Sequence, residues 1–287
     1  MAELGDRRLL FGRRLIVQVH DLKVDGLDVS FSITKSLAPK TPNSAEIKVY
    51  NLSANNRKRL QELEKVFVSL EAGYEATGTA VLFRGELRDV NSAMESNRDW
   101  ITTITSDSGR TARKRRIAQS IAPGTSVTSV LQTAAQAMGL RLGNTAAATV
   151  ARKLDGTGAA QFFNGYTLAG ALGDEVDRLA RSSGLEWSIQ DDELQFLDRG
   201  APLQQEAVLL TPQTGLVGSV ERGNKGVTEV RCLLIPELRP GRRVKVESAL
   251  VTGIYRIETA KYRGGTAERE WYADLQLKSE ERKPKKT

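Results

Sequence analysis

The sequence predicts a mainly β protein in which two strand-rich regions flank or enclose a small α+β insert. Three patterns carry that expectation. From residue 204 to 277, Val244 and Val246 alternate with Arg243 and Lys245, and Trp271, Ala273, Leu275 and Leu277 alternate with Tyr272, Asp274 and Gln276, the period-2 signature of half-buried strands. Near the start, Leu27, Val29, Phe31 and Ile33 alternate with Asp28, Ser30, Ser32 and Thr34 in the same way. In between, from Ala112 to about Gly200, alanine and glycine rise and the apolar spacing becomes 3.6. Each run of short strands must curl into a sandwich or barrel to hide its apolar face.

In chain order, Leu15, Val17 and Val19 share one parity and Leu22 and Val24 the other, so a bulge near Asp21 is expected to keep the apolar row inward. Asp25-Gly26 suits a type I′ hairpin turn into the strand from Leu27. KSLAPKTPNS holds two prolines and no periodicity, and is expected to project as a loop before AEIKVY. Ser53 is positioned to cap a short helix carrying Leu60 and Leu63. Strands follow at Val66–Leu70, TAVLFRG, LRDV and WITTIT, and Asp107-Ser108-Gly109 ends the first domain, expected over residues 1–109.

The insert, residues 110–203, opens on the basic run GRTARKRR. Val127, Val130, Leu131, Ala134, Ala135 and Met138 form one helical face, with Thr125 or Ser126 as cap and Gly139 as stop. A second helix is expected from Thr167 to Ser183, ended by Gly184. LEWSIQDDELQFL then reads as a hairpin turning at Gln190–Glu193. In the last domain, residues 204–280, Arg239-Pro240-Gly241-Arg242 favours a type II turn into a strand at Arg243, and Gly264-Gly265 is expected to turn the chain between strands ending near Tyr262 and starting near Glu270. Residues 281–287 are a basic tail expected to lack order. No repeat is visible by identity, although two β regions around an insert raise the possibility of a structural duplication.

Composition bounds the function. The chain has 287 residues, 40% of them hydrophobic, enough for a sizeable core in each of one to three domains. No stretch approaches the ~18 consecutive apolar residues that cross a bilayer, and the N-terminus lacks an apolar signal core, so folding in a cytosol without membrane insertion is expected. Cys232, the single cysteine, can make neither an internal disulfide nor a metal cage and reads as core filler. Lys plus Arg exceed Asp plus Glu by 42 to 35, a net charge of +7, concentrated in Arg110, Arg113, Lys114, Arg115 and Arg116 and in the tail ERKPKKT. Such runs can neutralise phosphates or acidic partners, or simply be solvated.

Catalytic patterns are missing. The one histidine, His20 in LIVQVHD, reads as a strand-face residue. The carboxylate groups, Asp191, Asp192 and Glu193 in one turn and Asp174, Glu175 and Asp177 on one helix, read as turn chemistry and a solvated face. There is no G-x-S-x-G, GxxxxGK[ST] or GxGxxG after a strand. No catalytic, cofactor-binding or metal site is expected, and no cofactor. A nucleic-acid-binding module and a cell-wall hydrolase working through Asp191 or Glu193 are the competing classes.

A resemblance adds to this. VLLTPQTGLVGSV, LLIPELRPGRRVKVES and GIYRIETAKYRGGTAEREWYADLQL resemble the C-terminal part of baseplate hub proteins of contractile-tailed bacteriophages. AEIKVYNLSANNRKRL with VSLEAGYEATGTAVLFRGELRDV resembles the hub's N-terminal domain, and GLEWSIQDDELQFLDRG the end of its middle domain. The resemblance spans about Leu15 to Leu277. It implies a homotrimer with two tail-tube-like β-barrel domains per subunit, a virion tail location and assembly in the host cytoplasm. It further implies a central spike protein, the tail tube, other baseplate proteins and the tape measure protein as partners, with DNA only as passing cargo. Some relatives add a lysozyme domain or a fused spike; no residues remain here for either, which favours a structural role. A hub of a genome-free injection machine fits the same parts. Leu37, Pro39, Lys40 and Pro42 are the expected intersubunit contact loop, and Arg110, Arg113, Lys114, Arg115 and Arg116 the basic patch.

Overall fold

The computed structural model describes residues 10–95, 98–143, 148–150, 152, 161–162, 164–203, 205–222 and 227–280; the basic tail at 281–287 lies outside them. Strand predominates, as the alternation requires. The chain forms two compact units: residues 1–36, 44–107 and 203–287, and residues 37–43 and 108–202.

The first unit takes both β regions into one 13-stranded sheet. Its N-terminal strands are β1 (Arg13–Val19), β2 (Leu22–Val24), β3 (Val29–Ser36), β4 (Asn43–Tyr50), β5 (Phe67–Tyr74), β6 (Gly78–Glu95) and β7 (Asp99–Ser108), with helix α1 (Ala54–Gln61) between β4 and β5. Ser53 caps α1 by accepting from the Asn56 amide at 3.3 Å, and Leu60 is buried. The parity switch after Val19 is a hairpin rather than a bulge: Val19 pairs with Leu22, and His20 turns the chain at a φ of 54°. His20 is thus a turn residue. Asp25-Gly26 closes no hairpin, because β3 pairs with β4 and with a C-terminal strand and never with β2. TAVLFRG and LRDV, expected as separate strands, are the two halves of β6.

The second unit contains α2 (Arg110–Lys114), β8 (Arg116–Ile121), β9 (Thr125–Ser126), α3 (Val127–Met138), β10 (Arg141–Leu142), β11 (Gln161–Phe162), β12 (Tyr166–Ala171), α4 (Leu172–Ser182), β13 (Leu185–Gln190) and β14 (Glu193–Asp198). The α3 face predicted from spacing is buried throughout, Ser126 accepts from the Ser129 amide at 3.1 Å, and Gly139 ends the helix at a φ of 73°. The second helix begins later than expected, at Leu172, because residues 166–171 pair with β8 as a strand. Asp191 and Asp192 make the β13–β14 turn at φ values of 50° and 64°, the double positive φ of a type I′ turn. Val130, Leu131, Ala134 and Met138 pack with Leu172, Val176, Trp187 and Phe196 in this unit's own core.

The chain returns to the first unit as β15 (Val208–Leu210), β16 (Leu216–Arg222), β17 (Val227–Leu233), β18 (Arg243–Glu247), β19 (Thr252–Gly265) and β20 (Trp271–Ser279). The Pro240-Gly241 turn forms as expected, with the Arg242 amide donating to the Arg239 carbonyl at 3.0 Å and Gly241 at a φ of 87°. Gly264 and Gly265, by contrast, lie inside β19 and turn nothing. A Cβ on Gly264 would stand 2.7 Å from the Trp271 ring and 3.1 Å from Phe31, and one on Gly265 2.9 Å from the Val29 carbonyl oxygen. Trp271, Ala273, Leu275 and Leu277 are buried as the alternation predicts.

Candidate assembly surfaces

The two β regions repeat one strand order. The N-terminal half runs β1-β5-β6-β7-β4-β3 and the C-terminal half β15-β18-β19-β20-β17-β16. Two differences separate them: β1 lies antiparallel to β5 whereas β15 lies parallel to β18, and the N-terminal half carries β2 beyond β1. The registers agree in detail. Each long strand bulges against its successor, between Leu87 and Asp89 in β6 and between Ile257 and Thr259 in β19. Counting from the bulge matches Trp100, opposite Met94, with Trp271, opposite Gly264. The ion pair at the bulge recurs with its charges exchanged: Arg88 donates to Glu86 at 3.0 Å, and Arg256 to Glu258 at 2.7 Å.

The halves are joined by strand pairing. β3 lies antiparallel on β19 from Ser30↔Gly265 to Ser36↔Thr259, and because β20 holds the other edge of β19 along these residues, β3 continues the side on which β18 sits. Main-chain groups that would be left open at two sheet edges satisfy each other here. Trp271 fastens the joint. It is 2% exposed and packs edge-on to Phe31 at 5.8 Å and to Tyr74 at 6.3 Å. The Arg13 guanidinium sits 5.4 Å from its ring and donates to the Arg269 carbonyl at 3.2 Å, so N-terminal side chains surround a C-terminal tryptophan. Beside it Cys232 is fully buried as core filler, and burial pushes its thiol up to about 12.

The segment expected to project between Lys35 and Ser44 is shorter than that. Lys35 belongs to β3 and is buried, its ammonium donating to the Leu82 carbonyl at 3.2 Å. Leu37 is also buried, Pro39 and Pro42 half so, and Lys40 is exposed. Asn43, the first residue of β4, donates to the Ile189 carbonyl and to Gln190 Oε1, both at 3.0 Å. The proline-containing segment thus packs with the insert's hairpin in the second unit.

The basic run divides by environment. Arg110, Lys114, Arg115 and Arg116 are exposed. Arg113 instead lies with its guanidinium 5.3 Å from the centroid of the Trp187 ring, over which it stacks.

Glu175, Asp177 and Glu193 are engaged by neighbouring side chains, and the helix face expected to be solvated is buried at Glu175. Glu175 is 1% exposed, accepts from the Tyr166 hydroxyl at 3.0 Å and pairs with Arg178. Asp177 accepts from the Trp187 indole at 3.2 Å and pairs with Arg181 at 2.8 Å, and Glu193 pairs with Arg141 at 3.2 Å. Among the described residues no group of three or more His, Cys, Asp or Glu side chains could hold a metal ion.

The backbone resembles solved tail proteins. It matches a 43 kDa tail protein of prophage MuSo2 from Shewanella oneidensis with a TM-score of 0.63 at 9% identity, over 93% of this chain and 98% of that one. A tail protein from Neisseria meningitidis matches with 0.63 at 9% identity, over 94% and 97%. An Escherichia coli component of the type VI secretion system, itself described as similar to bacteriophage T4 tail proteins gp27 and gp5, matches with 0.54 at 10% identity, over 92% and 77%. At such identities these likenesses establish the fold. No curated protein matches by sequence. The family model described as Baseplate hub gp41 matches residues 14–275, and with nearly the whole chain inside that match, the protein belongs to the baseplate hub gp41 family, structural components of the phage tail baseplate.

Proposed function

We propose that three copies of this chain form an adaptor between the sixfold tail tube and the threefold central spike of a contractile tail. Each copy contributes two tail-tube-like barrel domains, residues 1–109 and 204–280, so that three chains present six similar β units. The observation that carries this reading is the repeated strand order, with the bulges and the Trp100 and Trp271 positions in matching register. The role is structural rather than enzymatic, a reading supported by the family match and by the pairing of Glu193, one of the two hydrolase candidates, with Arg141. Pro39, Lys40 and Pro42 supply a contact to a neighbouring baseplate subunit; Leu37, being buried, anchors that segment. The exposed cations Arg110, Lys114, Arg115 and Arg116 face an acidic partner or the passing DNA, in the latter case without sequence preference and with strong dependence on salt. The type VI secretion relative fits a hub in a genome-free injection machine equally well, and gene neighbours separate the two: capsid and terminase genes mark a phage.

The test is copurification with the adjacent spike protein followed by mass measurement. A 3:3 complex is the expected result. A chain that stays monomeric and ignores the spike overturns the proposal.

A further inference from the structure

The ribbon that β8 and β12 form in the insert ends in a turn that holds a reactive pair. Nine asparagines occur in the chain, and only Asn164 is followed by glycine. The next backbone nitrogen lies within covalent reach of an asparagine carboxamide, because attack of that nitrogen on Cγ closes a five-membered ring. A glycine in second place offers the least obstruction, having no side chain beside the attacking nitrogen.

The fold leaves both reactants available. Asn164 is exposed, in the turn between β11 and β12. The ladder that pairs β12 with β8 begins only at Tyr166↔Ile121. Among the described residues, neither the Asn164 carboxamide nor the Gly165 amide makes a hydrogen bond. A ladder amide would have to give up its bond before it could attack.

Other asparagines are held. Asn43 is buried and its carboxamide nitrogen donates to the Ile189 carbonyl and to Gln190. Asn51 accepts from the Trp100 amide and donates to Asp99 through the same side chain. Asn91 lies within the ladder of β6 on β7, with Ser92 after it.

Gly165 is fixed in turn. It has a φ of 77°, a conformation that favours glycine, and a Cβ added there would stand 2.7 Å from the Ile121 carbonyl oxygen and 3.4 Å from the Pro123 nitrogen. The turn thus requires at position 165 the residue type that makes the preceding asparagine labile.

We propose that Asn164 is a site of spontaneous deamidation, passing through a succinimide closed by Gly165. Hydroxide removes the Gly165 amide proton, the nitrogen bonds to Asn164 Cγ, and the carboxamide nitrogen leaves as ammonia, taking a proton from water. A second water opens the ring at either carbonyl to give aspartate or isoaspartate. One ammonia leaves for each water gained, with no change of oxidation state. Either product adds one negative charge at the turn. Isoaspartate also routes the main chain through the side-chain methylene, lengthening the backbone just before β12, where the Tyr166 hydroxyl is tied to Glu175. A tail component is made once and not renewed, so conversion accumulates with the age of the particle. The modification does not depend on the adaptor role.

The test incubates the full chain at pH 7 and at pH 8 and follows the peptide containing residue 164 by mass spectrometry. A gain of one mass unit should appear at Asn164 at least tenfold ahead of every other asparagine, with aspartate and isoaspartate resolved as separate products. The rate should rise about tenfold between the two pH values, because the attacking species is the deprotonated amide. Asn164→Gln, which must close a six-membered ring, should slow conversion at that position at least tenfold in a chain that still folds. A parallel sample unfolded in guanidinium calibrates the turn, and the native chain should convert within about threefold of it. Native chain that keeps its amide while the unfolded chain loses it at least tenfold faster overturns the proposal, since the fold then protects the pair. Aspartate formed without isoaspartate overturns the succinimide route.

Discussion

Gly264 tolerates no side chain because its backbone lies against Trp271 and Phe31 at once. Gly264→Ala should therefore destabilise the chain by about 1–3 kcal/mol through overpacking, read as a lower denaturant midpoint at unchanged slope. Trp271→Ala removes the ring that Phe31, Tyr74 and Arg13 enclose, and should cost about 3–5 kcal/mol. Cys232, with its thiol held up near 12, remains protonated at pH 8 and lies out of solvent. A maleimide at that pH should label it only after unfolding in guanidinium, and labelling of the native protein would show that β17 and β20 separate readily. Residues with a fixed chemical role were legible from sequence: Ser53, Ser126, Gly139 and Gly241 cap or turn as their side chains dictate. Gly264 was misread because a glycine that permits a turn and a glycine that admits a neighbouring ring look alike in one dimension. Arg113 sits in a run of cations, and only the tertiary position of Trp187 separates it from the others.

At the scale of elements, α3 offers the cleanest test. Ser126→Ala removes the cap from an otherwise well-patterned helix and should cost about 1 kcal/mol, visible in thermal unfolding without loss of the fold. Parity located most strands, since burial on one face imposes period 2 wherever a sheet covers a core. Partners were less legible than strands. The β1–β2 hairpin turns on His20-Asp21, which lacks the glycine or asparagine that announces such turns, while Asp25-Gly26 carries that signal and serves only as a bend between strands that do not pair. The residues 166–171 could enter the first turn of a helix by spacing alone; pairing with β8 decided otherwise.

For the whole molecule, the duplication was raised by the order of regions yet hidden from comparison of residues. It resides in register, in two bulges and in an ion pair with its charges exchanged, none of which preserves identity. The assembly surfaces were correspondingly invisible. A strand edge is an absence of neighbours, and sequence does not say which edges the rest of the chain will cover. The β3–β19 joint also sets a timetable. β3 leaves the ribosome early, and the strand that completes its sheet follows only after the whole insert has been made; the Val29 amide and the Thr266 hydroxyl that accepts from it are separated by 237 positions. Contacts this distant make folding slow and leave apolar strand edges open during synthesis. Nascent chains arrested before β19 should therefore bind chaperones or aggregate, and a pulse-chase experiment should find β3 protected from protease only once the C-terminal strands have been released.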